Sequence, residues 1–194
     1  SNSITGPLIL GRILKEAGHE VEVYEELYKD LEPENIKDAD VICLYTMTSN
    51  APRAYELAKI FREEYKKRVI IGGMHASSVP EEAIKYADQV VDVIEGNVKG
   101  KIVQAVPVED LDSIPFPDYS ILKTPCKVAN LMTSRGCPFA CIFCTTSRLF
   151  HPYRYRTPDN VIEELEMYKR MGFKYVNFED DNFTANRSRA KEIL

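Results

Sequence analysis

Short apolar segments alternate with segments of helical periodicity along the first half of the chain, and this alternation restricts the fold more than any other feature. ADVICLYT (39–46) is typical of a strand buried on both faces of a sheet, RVIIGG (68–73) is predicted as another buried strand, and VVDVI (90–94) as a further strand. Helical spacing of apolar residues marks 51–66 and 80–87 between them. This repetition predicts an α/β fold, with a doubly wound parallel sheet and helices on both faces.

The start of the chain departs from that rhythm. An amphipathic helix is predicted at 7–18 and an alternating strand at 20–26, but no strand precedes the helix. Because a doubly wound sheet normally begins with a strand, we expect the first strand to be missing.

A proline-rich stretch at 107–128 separates two predicted domains, 1–106 and 129–194. Long helices and central strands are excluded there by four prolines, namely Pro107, Pro115, Pro117 and Pro125. Apolar side chains within the stretch favour an ordered linker over a flexible one.

The second domain repeats the strand–helix pattern. A strand is predicted from residue 128, another at 174–178, and a helix between them that Thr157 caps and Pro158 opens. The predicted buried face of that helix comprises Val161, Ile162, Leu165, Tyr168 and Met171.

Charge and composition exclude several classes of protein. The chain has 194 residues and a net charge of −5, which does not match the basic surface of a general nucleic-acid binder. It contains no apolar run of about 18 residues, so no membrane span is expected. The cysteine count is odd, at five, and three cysteines lie close together. That pattern favours a metal site in a reducing compartment, so we predict a cytoplasmic location.

The three clustered cysteines are Cys137, Cys141 and Cys144, with the spacing C-x3-C-x2-C. Three thiolates on a short loop can bind three irons of a cubane cluster and leave the fourth iron open. Structural zinc is the alternative, but its fourth ligand would have to be Cys126 or His151. A third alternative is three buried thiols without a metal.

This motif follows a strand and has an aromatic residue, Phe143, directly before its last cysteine, and it resembles the signature of the radical S-adenosylmethionine (SAM) family. The resemblance implies that Cys137, Cys141 and Cys144 bind a [4Fe–4S] cluster. It also implies that the open iron takes the amino and carboxylate groups of SAM, with Phe143 near the adenine. Cleavage of SAM would then give a 5′-deoxyadenosyl radical, and 129–194 would begin a partial TIM barrel.

An acidic turn follows the second strand of that barrel, at Glu179, Asp180 and Asp181. Family members meet the amino group of SAM at this position, so the resemblance implies that one of these carboxylates takes that role. The usual Gly-Gly-Glu is absent here, and the alternative is a solvated helix-capping turn.

Small and polar residues follow two neighbouring strands of the first domain. In open α/β sheets, ligands bind beyond the carboxyl ends of the strands. The candidate ligand contacts at this edge are Thr46, Ser49, Gly72, Gly73, His75 and Ser77. A structural role for His75 stays open.

The stretch GGMHASSVPEE (72–82), the linker text PFPDY (115–119) and the cysteine motif together resemble the cobalamin-binding radical SAM class. That class includes the anaerobic magnesium-protoporphyrin IX monomethyl ester oxidative cyclase and B12-dependent methylases. The resemblance implies a flavodoxin-like first domain of the B12-binding type, with cobalamin as a further cofactor. It also implies a small-molecule substrate, such as a tetrapyrrole or another hydrophobic metabolite, and an external electron donor.

Three departures from the class bear on these expectations. The first strand is absent, no D-x-H-x-x-G motif supplies a histidine to the cobalt, and the Gly-Glu-Gly-Glu stretch often found after a segment like YADQVV is missing. In addition, the chain after residue 128 has roughly half the length of a barrel. We therefore expect a part of a longer enzyme that does not turn over by itself. The alternatives are a tRNA-modifying radical SAM methylthiotransferase and a zinc-stabilised α/β binding module.

Basic and aromatic residues are interleaved after the cysteine motif. Arg148, Arg154 and Arg156 lie among aromatic side chains, a pattern found where nucleic acid or phosphate binds. Carboxylate pairing and stacking on the rings are commoner, and we favour that structural interpretation.

Overall fold

The computed structural model describes residues 4–26, 30–92, 102–104, 107–144, 146, 150 and 152–194. Contacts between residues divide the chain into two compact units, Asp30–Pro107 and the combination of Ser1–Lys29 with Val108–Leu194. Helix α1 (Thr5–Glu16) therefore packs with the second half of the chain. The domain boundaries expected from the sequence, 1–106, 107–128 and 129–194, stay a prediction.

The unit Asp30–Pro107 contains a parallel four-stranded sheet, which confirms the α/β class. The strands lie in sequence order: β1 (Val41–Tyr45), β2 (Arg68–Gly72), β3 (Gln89–Asp92) and β4 (Ile102–Gln104). Residues 93 and 94 of the predicted third strand lie outside the described part. The helices are α2 (Ala51–Glu63), α3 (Met74–Ser78) and α4 (Pro80–Ala83).

The core of this unit lies on one face of the sheet. Ile42, Val69 and Val90 are buried there against α2, through Leu57 and Phe61 among others. Because the strands follow one another in a single direction, right-handed crossovers place α2, α3 and α4 on the same face. The alternate residues of β1 are consequently exposed, whereas the sequence predicts a strand buried on both faces.

The other unit holds α1 and the remaining elements. These are β5 (Val128–Leu131), β6 (Ser134–Arg135), β7 (Arg154–Tyr155), α5 (Pro158–Arg170), β8 (Tyr175–Phe178) and α6 (Arg187–Ile193). Strands β5 and β8 pair in parallel, and β6 pairs with β7 in antiparallel fashion. The predicted strand at 20–26 is reduced to an isolated bridge between Val23 and Leu122.

The proline-rich stretch is ordered, as expected from its apolar residues. It forms two single 3₁₀ turns, Leu111–Ser113 and Tyr119–Ile121. Tyr119 and Ile121 are buried in the same core as Leu8 of α1 and Leu131 of β5. Residues of the proline-rich linker therefore contribute to the core of this unit.

Helix α5 begins as the sequence predicts, because the Thr157 hydroxyl accepts from the Asn160 N–H and Pro158 is the first helical residue. Its buried residues are Val161, Glu164 and Tyr168. Met171, expected on that face, is exposed because the helix has already ended there.

Glu164 is 2% exposed and forms an ion pair with Arg156, while the Tyr168 hydroxyl donates to its other oxygen. Arg156 also lies 5.3 Å from the ring centroid of Phe116. The structural interpretation of the basic–aromatic segment is thus confirmed for Arg156. Arg148 lies outside the described residues.

Candidate cluster loop and ligand edge

The cysteine loop, residues 137–144, starts where β6 ends. Gly136 has a φ of +81°, and a Cβ added to it would lie 2.3 Å from the carbonyl oxygen of Phe150. Only glycine fits this backbone conformation and this contact. Within the loop, the Cys144 N–H donates to the Cys141 carbonyl at 3.0 Å, and Cys141 is exposed.

The donor set of the loop suits an iron–sulfur cluster. All three cysteines are free thiols on one short loop, and iron–sulfur clusters are held by cysteine thiolates. Within the described part of the chain, no three metal-binding side chains converge.

The sequence offers two possible fourth ligands for zinc, and the structure describes one of them. The Cys126 thiol donates to the Val128 carbonyl at 3.0 Å. His151 lies outside the described residues. Cys126 therefore gives no support to a closed zinc tetrahedron.

Asp180 binds the residues that lead into the loop. Its carboxylate accepts hydrogen bonds from the Thr133 N–H at 3.1 Å, from the Thr133 hydroxyl at 2.7 Å and from the Ser134 hydroxyl. The end of β8 is thereby fastened to the start of β6. On the far side of Thr133, the Arg189 guanidinium donates to the Thr133 carbonyl at 2.8 Å.

Asp181 contacts the residue Thr146, two positions after the last cysteine of the loop. It accepts a hydrogen bond from the Thr146 hydroxyl at 3.1 Å. Desolvation raises the pKa of Asp181 and the Asp180 charge adds to that rise, whereas the hydrogen bond from Thr146 opposes it. The structure therefore brings the acidic turn and the cysteine motif together.

The remaining acid of the turn, Glu179, contacts residues of α1 and β5. It accepts a hydrogen bond from the Thr5 hydroxyl at 3.3 Å, and its N–H donates to Leu131 at 2.8 Å. Helix α6 is capped by the Asn186 side chain, which accepts from the Arg189 N–H. A capping role for the acids finds no support in these contacts.

The aromatic residue of the motif projects from the loop. Phe143 is 87% exposed and its neighbour Ile142 is 97% exposed. Its contact with the adenine of SAM stays a prediction.

At the edge predicted to bind cobalamin, several candidate residues hold the strand ends together. The Thr46 hydroxyl donates to Gly72 at 2.8 Å and accepts from the Ala76 N–H at 3.2 Å, and Thr46 is fully buried. Gly73 has a φ of +101°, and a Cβ there would lie 2.5 Å from the Thr46 carbonyl oxygen. Glycine at position 73 thus lets the chain pass close to the backbone of Thr46.

The other candidates differ in exposure. Ser77 is buried and its N–H donates to the Gly73 carbonyl at 2.9 Å. Ser49 is exposed in the turn before α2. His75 Nδ1 lies 3.3 Å from the Thr48 hydroxyl, and its Nε2 lies 3.6 Å from a Glu82 oxygen.

His75 lines an open groove of about 540 Å³. Tyr55 and Tyr86, stacked at 4.1 Å between ring centroids, also line it, as does Glu82. The two tyrosines were not predicted from the sequence, because they lie in separate helical segments and no local pattern joins them.

Hydroxyl residues around the cysteine loop were also missed. Thr133, Ser134 and Thr146 all donate to the acidic turn. Their positions immediately before and after the cysteine motif are a signal that the sequence does contain.

No helix in the described part of the chain is long and apolar enough to cross a membrane. The expected cytoplasmic location stays a prediction.

Comparison with protein families gives two matches. The B12 binding domain matches residues 5–105, and the Radical SAM superfamily matches residues 131–194. The second match covers the cysteine loop and the acidic turn.

Two similar proteins cover most of this chain. An uncharacterised methyltransferase of Pyrococcus horikoshii is 29% identical over 90% of this chain and 48% of its own length. The bacteriochlorophyllide d C-12(1)-methyltransferase of Chlorobaculum tepidum is 26% identical over 100% of this chain and 48% of its own length. The chain thus spans about half the length of these relatives.

Among solved structures, the radical SAM methyltransferase TsrM of Kitasatospora setae, with tryptophan and a SAM analogue bound, aligns with a TM-score of 0.71. The alignment covers 98% of this chain and 48% of TsrM at 16% identity. At that identity the likeness concerns the fold.

Proposed function

This chain belongs to the B12-binding radical SAM proteins, and from that premise we propose that it carries the cluster site of a cobalamin-dependent methyltransferase. The resemblance predicted from the cysteine motif and the linker is thereby confirmed. The observation that carries the proposal is the contact of one acidic turn, at the end of β8, with residues on both sides of the cysteine loop.

Each part of the loop has a proposed task. Cys137, Cys141 and Cys144 bind the [4Fe–4S] cluster, and a carboxylate of Glu179, Asp180 or Asp181 meets the ammonium group of SAM. Phe143, which projects from the loop, packs against the adenine. When bound, the cluster supplies an electron to SAM and cobalamin supplies a carrier for the methyl group.

At the ligand edge of the sheet we propose that His75 and Ser49 contact cobalamin. Thr46, Gly72, Gly73 and Ser77 shape that edge through their mutual hydrogen bonds and close packing. This division follows from exposure, since Thr46 and Ser77 are buried while Ser49 is exposed.

We propose a small hydrophobic molecule as the substrate, with an external electron donor. The Chlorobaculum tepidum relative is named for methylation of a bacteriochlorophyllide, which supports a tetrapyrrole or a molecule of similar character. An oxidative cyclisation of the kind that the sequence resemblance implies is the second reaction to test. The net charge of −5 disfavours a tRNA substrate.

Metal content after anaerobic reconstitution tests the proposal. Iron, sulfide and zinc would be measured for the chain and for a variant with Cys137, Cys141 and Cys144 changed to alanine. We expect about four irons and four sulfides per chain, and their loss in the variant. One zinc without iron would contradict the proposal and favour a zinc-stabilised module.

A further inference from the structure

We propose that Arg135 and Arg154 form a binding site for a carboxylate group of a small molecule. The pair lies beside the cysteine loop, since Arg135 is two residues before Cys137. The inference deepens the proposed function and rests on it in one respect: the molecule expected there is the substrate, which would then carry an acid group.

The pairing of β6 with β7 brings the two arginines together. These strands are antiparallel, and Arg135 lies directly opposite Arg154 in their register. Side chains of directly opposite residues project from the same face of a sheet, with Cβ atoms about 4.5–5.5 Å apart. Two positive charges in this arrangement repel each other, and an anion bound by both would offset that repulsion.

Neither arginine has an acidic partner among the residues that the structure describes. No ion pair there includes either of them, and the Arg135 guanidinium donates no hydrogen bond to those residues. Arg154 donates to backbone carbonyls only, those of Pro152 at 3.1 Å and Val108. Its contacts leave its positive charge without a counter-charge.

Other arginines of the same unit are paired with acids. Arg156 forms its buried ion pair with Glu164, and Arg12 donates to Glu16 at 2.8 Å. The segment of interleaved basic and aromatic residues is therefore structural at Arg156. At Arg154 the contacts favour the other interpretation of that segment, in which it binds an anionic group.

Both guanidinium groups are partly desolvated and still reachable. Arg135 and Arg154 are half-buried. Burial lowers the pKa of Arg135, and the charge of Arg154 adds to that effect. An arginine nevertheless stays charged in a protein, so a partly desolvated pair attracts a counter-ion more strongly than two fully exposed side chains would.

A carboxylate has the geometry that this pair requires. The planar guanidinium presents parallel N–H donors that match the two oxygens of a carboxylate. One carboxylate between the two side chains can accept from both and cancel one of the two charges. Phosphate shares this geometry, so the two anions have to be compared by experiment.

The arginine pair lies on the opposite face of β6 from the acidic turn. The Ser134 hydroxyl donates to Asp180, and successive side chains of a strand point to opposite faces. Arg135 therefore projects away from Asp180. A carboxylate bound there is separate from the proposed contact of the acidic turn with the ammonium group of SAM, which favours the substrate as its source.

Titration of the metal-free chain with acetate tests the site. Acetate replaces chloride at constant ionic strength, so that only the kind of anion changes. The Nε–H resonances of the arginines are followed by nitrogen-15 nuclear magnetic resonance, and the melting temperature is measured in parallel. A variant, Arg135→Gln, identifies the resonance of Arg135 by its absence.

We expect acetate to shift the resonances of Arg135 and Arg154 and to raise the melting temperature, because a ligand stabilises the folded state that binds it. Arg135→Gln should weaken acetate binding about tenfold, as for a lost hydrogen bond between charged groups. Without acetate this variant should melt no lower than the parent chain, because it loses no hydrogen bond and removes a like-charge repulsion.

Arg170→Gln is the matched control. It removes the same charge at an exposed position, where the contact with Glu166 is 3.8 Å long, and it should keep the response of the parent chain to acetate. Arg154→Lys keeps the charge but lacks the planar fork. It should therefore bind acetate more weakly than the parent chain and more tightly than Arg154→Gln.

Two further comparisons identify the molecule that carries the carboxylate. A porphyrin with two propionate groups should bind the parent chain more tightly than its dimethyl ester, whereas Arg135→Gln should bind both alike. In the reconstituted Arg135→Gln chain, the electron paramagnetic resonance spectrum of the reduced cluster should still respond to SAM. Loss of that response, with no preference between the two porphyrins, would assign the carboxylate to SAM and contradict its assignment to the substrate.

Three results would overturn the inference: arginine resonances that acetate leaves unchanged, equal responses of the parent chain and Arg135→Gln, or tighter binding of inorganic phosphate than of acetate. The acetate titration needs no iron. A chain that took up no iron would therefore contradict the proposed cluster, while the titration would still decide whether the two arginines bind a carboxylate.

Discussion

Gly136 shows how a single missing side chain can determine a site. The chain passes through a left-handed conformation there while the backbone of Phe150 crosses directly over its α-carbon. A methyl group would meet a carbonyl oxygen that belongs to the backbone and cannot rotate away. The entry to the cysteine loop therefore depends on glycine for two independent reasons.

Gly136→Ala should destabilise the chain more than Gly172→Ala and should prevent full iron uptake. Gly172 has a similar φ of +86°, but an added Cβ there would meet nothing within 4 Å. Left-handed strain alone costs about 1–2 kcal/mol, so the steric clash at Gly136 should add to that. Urea unfolding and iron content measure both effects; equal losses in the two variants would contradict the clash.

Helix α5 illustrates how an element can bury a charge on its core face. Glu164 lies among apolar neighbours and is compensated by the guanidinium of Arg156 and the hydroxyl of Tyr168. Burial, followed by the Glu164 charge, raises the pKa of Tyr168 well above its usual range. The tyrosine is therefore a hydrogen-bond donor to Glu164 at neutral pH.

Glu164→Gln should lower the free energy of unfolding by about 3 kcal/mol, because it leaves Arg156 buried without its counter-charge. Glu166→Gln on the same helix is the control, since its contact with Arg170 is 3.8 Å long and exposed. That change should cost under about 0.5 kcal/mol. Chemical denaturation compares the two, and similar losses would contradict the assigned importance of the buried pair.

The proline-rich linker is held against α1 by the carboxylate of Asp118. Its carboxylate accepts from Lys15 at 2.9 Å and from the Ser120 N–H at 2.8 Å, where it caps a 3₁₀ turn. Burial by itself would raise the pKa of Asp118, but Lys15 and Ser120 outweigh it, so the pKa is lowered. A lowered pKa means that the stabilisation is complete above the ordinary aspartate value and is lost as the pH falls through the folded value.

Asp118→Asn should therefore reduce stability by about 1 kcal/mol at pH 7, and by progressively less below about pH 4. Asparagine can still accept the hydrogen bond from the Ser120 N–H, so the difference in stability between the two proteins reports the effect of the charge alone. Urea unfolding of both proteins at pH 7 and at pH 3 measures it. A difference that is the same at both values would contradict the role of the ion pair.

For the whole molecule, periodicity and motifs were enough to predict the α/β class, the parallel strands and the capped start of α5. These features depend on residues that are close together in the sequence, which is why local patterns predict them. They could not predict that Glu164 is buried, because its partner Arg156 precedes the helix. Nor could they pair Thr146 with Asp181, since chain folding brings those residues together.

The overall charge also supports a prediction for the whole chain. With a net charge of −5, it should not bind RNA in a gel-shift assay at low salt. Binding that weakens steeply with added salt would instead favour a tRNA-modifying enzyme.

The exposed tip of the cysteine loop has a practical consequence. An exposed thiol, that of Cys141, lies next to two almost fully exposed apolar side chains, Ile142 and Phe143. In air, thiols without metal are oxidised and join neighbouring molecules through disulfides, and the apolar groups beside them favour that encounter. We therefore expect this loop to be sensitive to oxygen even in the metal-free chain.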